Sequence, residues 1–253
     1  MKFKKRVKAA LNKEIAPQVT LMRNTGSMLS VSNGQAWGTF MLYTSFGNTT
    51  AANDLEKIFQ GIQGAGGNYL ATKFRFESGV LDLLLANNAN ATNDGPATKT
   101  AICDVYTVVC RTDVANAQYQ SAFEVITNSD ALANQDVNAD AKITDADIGY
   151  TPFSNPIFCK FFKVMKKRTI ILSPGQITEM QLRDPKNYTI YGQPFNTKSC
   201  VRNMTRGYVI CVRGVYEPQG GAPITPAVRV TFAYTRHYVT RQLQESTWTS
   251  ANK

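Results

Sequence analysis

A single histidine stands among the 253 residues, which sets aside most catalytic and metal-binding schemes that depend on imidazole. That residue, His237, lies in a strand-like run between Arg236 and Tyr238, with no serine, cysteine or carboxylate at a recognised nucleophile spacing. Cysteine is scarce too, and its count of five is odd. Cys103 and Cys110 are seven residues apart in one β-type segment, which turns them to opposite faces where they cannot pair. We read Cys103, Cys110, Cys159, Cys200 and Cys211 as reduced, small core or strand residues, not as a disulfide framework. The stretch SCVRNMTRGYVIC (199–211) lacks the His or second Cys pair that would complete a zinc site. The glycine-rich QGAGG (63–67) follows a helical pattern, whereas a phosphate loop joins a strand to a helix. Nothing approaches the roughly 18 apolar residues of a membrane-spanning helix, so no membrane insertion is expected. No export signal is legible, which leaves the glycosylation pattern at Asn187–Thr189 without meaning. The expectation is a protein that is not an enzyme and needs no cofactor.

Acids are missing where the chain begins. MKFKKRVKAALNK holds Lys2, Lys4, Lys5, Arg6, Lys8 and Lys13 and no carboxylate. The chain carries 28 Lys+Arg against 18 Asp+Glu; without those six the balance is 22 against 18, so more than half of the +10 excess sits in this arm. A cationic segment gains affinity for phosphates by releasing their counterions, and such runs read as nucleic-acid arms or nuclear import signals. A solubilising tail is the plain alternative. Charge divides again further on. Between Asn87 and Phe158 nine acids face three cations, whereas from Lys198 to Arg241 seven cations face Glu217 alone. Aromatics interleave with the cations at Phe3, Tyr208, Phe232, Tyr234, Tyr238 and Trp248, where they could stack bases. Strand alternation assigns most of these to a core instead.

The patterning is mainly that of strands. AWGTFMLYTSF (36–46) puts Phe40, Leu42 and Phe46 on one face. NDLEKIFQGIQG then changes period: Leu55, Ile58, Phe59 and Ile62 fall at helical spacing behind a capping Asn53 or Asp54. In KFRFESGVLDLLL, Phe74 and Phe76 have the opposite phase to Leu81, Leu83 and Leu85, which calls for a bulge at Ser78-Gly79. KTAICDVYTVVCRTD is a further strand. Residues 114–150 form a long connection with a helix near Tyr119, Phe123 and Ile126. PIFCKFFKVMKKRTIIL, ITEMQLRD, RGYVICVRGVY and AVRVTFAYTRHYV complete at least seven strands. The last sets Val228, Val230, Phe232 and Tyr234 against Arg229, Thr231, Ala233 and Thr235. One all-β domain follows, a two-sheet sandwich or jelly roll with a short helix inserted between early strands and a long loop between middle strands.

One motif competes for attention. DVNADAKITDAD (136–147) resembles a calcium loop, with Asp136, Asn138, Asp140, the Lys142 carbonyl, Thr144 and Asp147 at the ligand positions. Against it, Ala141 occupies the turn position that favours glycine, and Pro152 interrupts the exiting helix.

GYTPFSNPIFCKFFKVMKKRTIILSPGQITEMQLRDPKNYTI (149–190), with its basic apolar strand, Ser173-Pro174-Gly175 turn and second strand ending in a basic-acidic turn, resembles capsid proteins of small circular single-stranded DNA viruses that encode a replication initiator, the circovirus-like group. DVYTVVCRTDV (104–114), RGYVICVRGVYEP and VRVTFAYTRHYVTRQL extend the similarity in pattern and order over most of 18–243. The arm departs from the group's pattern, being short and Lys-rich where many relatives have long Arg-rich arms. The resemblance implies an eight-stranded jelly roll that self-assembles into an icosahedral homo-oligomer, with a disordered arm at 1–17, a shell domain at 18–243 and a tail at 244–253. It implies packaging of a single-stranded DNA genome without sequence readout, through Lys2, Lys4, Lys5, Arg6, Lys8 and Lys13 of the arm and through inner-surface Arg202, Arg206, Arg213, Arg229 and Arg236. It also implies a place in the virion and, during assembly, in the host nucleus, with an unidentified host attachment factor. The alternative is a jelly-roll carbohydrate-binding module or lectin using calcium at 136–147.

Overall fold

The computed structural model describes residues 17–45, 53–63, 73–87, 99–127, 144–184, 186–191, 197–219 and 222–243. The arm, the tail, Phe46 and most of the calcium-like loop lie outside the described residues.

Eight long strands carry the architecture. In chain order they are β1 (Gln18–Ser30), β2 (Gln35–Leu42), β3 (Lys73–Asn87), β4 (Ala101–Cys110), β6 (Phe162–Leu172), β7 (Ile177–Asp184), β10 (Arg206–Gly214) and β13 (Val228–Leu243). One sheet runs β1-β13-β3-β7, with β8 (Tyr188–Tyr191) continuing alongside β3; the other runs β2-β10-β4-β6. All pairings are antiparallel. Counted along the chain, the sheets take strands one, eight, three, six and two, seven, four, five. That interleaving of two Greek keys is the jelly roll. Short pairs β5 (Val114–Ala115) with β9 (Lys198–Cys200), and β11 (Glu217–Gln219) with β12 (Ala222–Ile224), tie down connections.

Strand alternation builds the core between the sheets. Phe40, Leu42, Leu81, Leu83, Leu85, Val105, Ile210, Val212 and Val230 are buried there, and Phe40 meets Phe232 and Tyr234 edge to face. The phase change in β3 is resolved by a bulge: Val239 pairs with Ser78 but Thr240 with Phe76, so Glu77 is the extra residue. The bulge stands one residue before its expected place. Helix α1 (Asp54–Gln63) seats Leu55, Ile58 and Phe59 in this core; the Ile62 side chain lies outside those described. Asp54 does not cap. Its backbone N–H bonds to Thr44 and its carboxylate turns inward.

A second core covers the outside of the four-stranded sheet. Trp37, Tyr106, Val108, Cys110, Val209 and Cys211 pack under α2 (Ala122–Thr127) and α3 (Pro156–Phe161), which contribute Val125, Ile126, Phe158 and Phe161. Helix α3 corrects the expected strand over 156–172, whose first six residues are helical. Asn155 accepts the Phe158 N–H at 2.9 Å and Pro156 takes the first helical position, a start signal that outweighs the β-type side chains. The same Asn155 donates to the Val125 carbonyl, and Tyr150 donates to the Ile126 carbonyl at 2.6 Å, joining the two helices. Cys103 and Cys110 face the inner and outer cores respectively, and all five thiols are free.

Strand β1 is an element the sequence pattern did not mark. It pairs with β13 over thirteen residues, from Gln18↔Thr240 to Ser30↔Val228. Its Val19 and Leu21 are 67% and 60% exposed, on the outer face of the first sheet.

Candidate nucleic-acid interface

The cations singled out in the sequence are separated by the fold. Lys2, Lys4, Lys5, Arg6, Lys8 and Lys13 lie outside the described residues. The five arginines do not converge on one surface of the folded chain.

Arg236 is the clearest correction. It shares the inward face of β13 with Val230 and Tyr238 and is only 2% exposed. Its Nη1 lies 2.6 Å from Asp54 Oδ1, and its Nη2 donates to Asn24 Oδ1 at 2.6 Å. Tyr238 donates to the other Asp54 oxygen and accepts the Tyr43 N–H at 2.9 Å. Burial pushes the Asp54 carboxyl up, and Arg236 and Tyr238 pull it back. Arg236 is thus a core cation that fixes α1 to the first sheet, and no polymer outside can reach it.

Arg206 is half-buried at the end of β10. Its Nε lies 3.2 Å from the fully buried Asp184, while Nη2 donates to the Tyr188 hydroxyl at 2.6 Å and the Asn203 carbonyl at 2.8 Å. Arg213, near the far end of the same strand, lies on the outer face of the four-stranded sheet, 2.7 Å from Asp104 Oδ2. Burial alone would raise the Asp104 carboxyl, but hydrogen bonds from Thr169 and Arg213 and the nearby charges hold it below the usual carboxylate range. Arg229 is half-buried on the opposite outer face, across from Leu29. Arg202 is exposed in a turn, where its backbone N–H donates to Asp113 Oδ1 at 2.7 Å; Lys198 holds the other oxygen at 2.7 Å.

Of the calcium-like set, Asp136, Asn138, Asp140 and Lys142 lie outside the described residues. Thr144 donates its backbone N–H to Asp147 Oδ2 at 2.6 Å, on an exposed turn. Of the aromatics, Tyr208 and Tyr238 are buried and Phe232 and Tyr234 pack against the core, while Phe3 and Trp248 are not described. His237 sits on the outer face, 3.5 Å from Asp82. Burial pushes the Cys103, Cys110 and Cys211 thiols up to about 12.

The exposed charge gathers elsewhere. Lys160, Lys163, Lys166, Lys167 and Arg168 fall within nine residues, all exposed, on α3 and β6. Strand β6 is an edge, hydrogen-bonded among the described residues to β4 alone. Its register slips at Met165, because Thr107 pairs with Lys166 and Val108 with Val164. Lys163, Lys166 and Arg168 therefore stand on one side of the edge. Lys167 stands on the other, over the Tyr106 ring at 5.3 Å, where Tyr106 also meets the 64% exposed Phe153 edge to face. The signal was present in the sequence: residues 166 to 169 are polar on both alternating faces, as an edge strand permits.

No family model matches the sequence, and neither does any curated protein. Solved structures similar to this chain include the capsid of Penaeus monodon metallodensovirus after EDTA treatment, at 10% identity and a TM-score of 0.43, covering 95% of this chain and 78% of that one. Desmodium yellow mottle tymovirus is similar at 8% identity and a TM-score of 0.31, covering 92% and 93%. The semi-empty virus-like particle of the giant freshwater prawn Macrobrachium rosenbergii nodavirus is similar at 13% identity and a TM-score of 0.31, covering 92% and 88%.

Proposed function

We propose that this chain is the subunit of a viral capsid, a structural protein that assembles into a closed icosahedral shell around a single-stranded DNA genome. The observation that carries this reading is one juxtaposition: a complete eight-strand jelly roll, opening at Gln18, directly preceded by a segment with six cations and no acid in its first thirteen residues. The arm neutralises phosphate and releases counterions, so uptake of nucleic acid falls steeply with salt. KFKKRVK also serves as an import signal, placing assembly in the nucleus. The virion is the destination.

Size-exclusion chromatography of the expressed protein, followed at 260 and 280 nm at low and high salt, tests this. Megadalton particles with nucleic-acid absorbance are expected, and a variant lacking residues 2–13 should form particles depleted of that absorbance. A monomer near 27.9 kDa under every condition overturns the shell. A calcium-dependent melting shift in that monomer would instead favour the carbohydrate-binding module with a cation at 136–147.

A further inference from the structure

We infer that the β6 edge is a binding site for single-stranded polynucleotide on the folded body of the protein, formed by Lys163, Lys166, Lys167 and Arg168 with Phe153 as a stacking platform. This rests on the capsid reading only for the source of the polymer.

Three observations carry it. First, the charge is surplus. Lys163, Lys166 and Arg168 have no ion-pair partner among the described residues, and Lys167 is 3.6 Å from an Asp104 that Arg213 already holds at 2.7 Å. Cations on an edge strand also keep it from pairing with other sheets, but here three lysines and an arginine lie within six residues. Second, the charge is extended. From Phe162 to Arg168 the strand advances about 20 Å, beyond the Debye length of ~8 Å at physiological salt. A small anion would feel one or two of these cations, whereas a polyanion laid along the edge meets them all. Backbone N–H groups on the unpaired side of β6 add donors for phosphate oxygens. Third, Phe153 is 64% exposed beside Lys167 and Tyr106, and Met165 is 59% exposed at the bulge. An apolar ring next to a cationic edge offers a face to an unstacked base, which single strands have and duplexes withhold.

The test uses the full-length protein and fluorescence anisotropy of a labelled oligo(dT), titrated across salt. The K163Q/K166Q/K167Q/R168Q variant should bind about a thousandfold more weakly at about 0.1 M salt, the difference fading toward about 1 M, with the slope of log K against log salt shallower by about 3. Phe153→Ala should lose about fivefold with its salt slope unchanged. An all-arginine version of the four positions should restore binding, and unaltered melting temperatures should accompany each variant. Unchanged affinity and slope in the glutamine variant would assign all binding to the arm and overturn the site. Equal binding of a duplex would overturn its single-strand character. Loss of particles with undiminished oligonucleotide affinity would overturn it as well, making the edge a contact between copies. Binding through β6 by a protein that never forms particles would leave this site standing and remove the shell.

Discussion

Arg236 and Lys166 carry the same charge on strands of the same sandwich, yet one is sealed between the sheets and the other stands in solvent. Around Arg236 every charge has an answer within hydrogen-bonding distance: Asp54 from α1, Asn24 from β1, and Tyr238 sharing the same carboxylate. Around Lys166 there are further cations and open edge backbone. A buried charge is held in place because removing its partner strands it in low dielectric, whereas an exposed one costs little to keep and is free to meet a ligand. Counting arginines along the C-terminal strands cannot separate the two. Position relative to the sheets does.

The comparison can be broken most sharply at Asp54. Asp54→Ala takes from the buried Arg236 the carboxylate 2.6 Å away, and should cost about 3–5 kcal/mol in urea unfolding. Joint replacement by apolar side chains, Asp54→Leu with Arg236→Met, should recover most of that loss. A cost below about 1 kcal/mol for the single change would mean that water reaches the pair. Next in size, Asn155→Ala removes the α3 cap and the bond to the Val125 carbonyl, and should lower stability by about 2 kcal/mol.

A third prediction concerns acid. The Asp104 and Asp113 carboxyls are held below their ordinary values in the folded state, so their contribution is present above about pH 4 and is lost as pH falls through the lowered values. The wild type should therefore lose stability below that pH more steeply than Asp104→Asn, as read by thermal melting from pH 6 to pH 2.5. Smallest of all, Lys166→Gln should leave stability within about 0.5 kcal/mol of the wild type. A large destabilisation there would make β6 a structural edge and erase the contrast with Arg236.

Much of the sandwich was legible in the chain. ITEMQLRD coincides with β7, where polar residues alternate with Met180 and Leu182, and RGYVICVRGVY contains β10, whose unbroken apolar run Tyr208–Val212 suits a strand buried on both faces. The helix at Asp54–Gln63 announced itself by its change of period. Strand β1 did not, because an edge strand with one outward face needs few apolar residues. Arg23, Asn24, Thr25 and Ser27 blur its pattern, and its register is set by β13. The inward turn of Arg236 was implied by parity: it lies an even number of residues from Val228 and Val230, so it had to share their face. Charge drew attention to it as a surface residue, and the partner that allows its burial lies 182 positions away, at Asp54. The lysines of β6 were read only as part of a resembling pattern, although the polar run Lys166–Thr169, covering both alternating faces, already marks an edge.

The pairing of β1 with β13 also bears on how the molecule comes into being. Its closest-spaced partners, Ser30 and Val228, are 198 residues apart, and β13 occupies the place between β1 and β3. Contacts of such sequence separation form late and slowly, because a long loop must be closed before any of them is made. A growing chain therefore has no β13 to pair with β1 until residues 228–243 have emerged. Emergence of β13 becomes a condition for the first sheet to close, and a fragment ending before Val228 would present the uncovered edges of β1 and β3 to its neighbours.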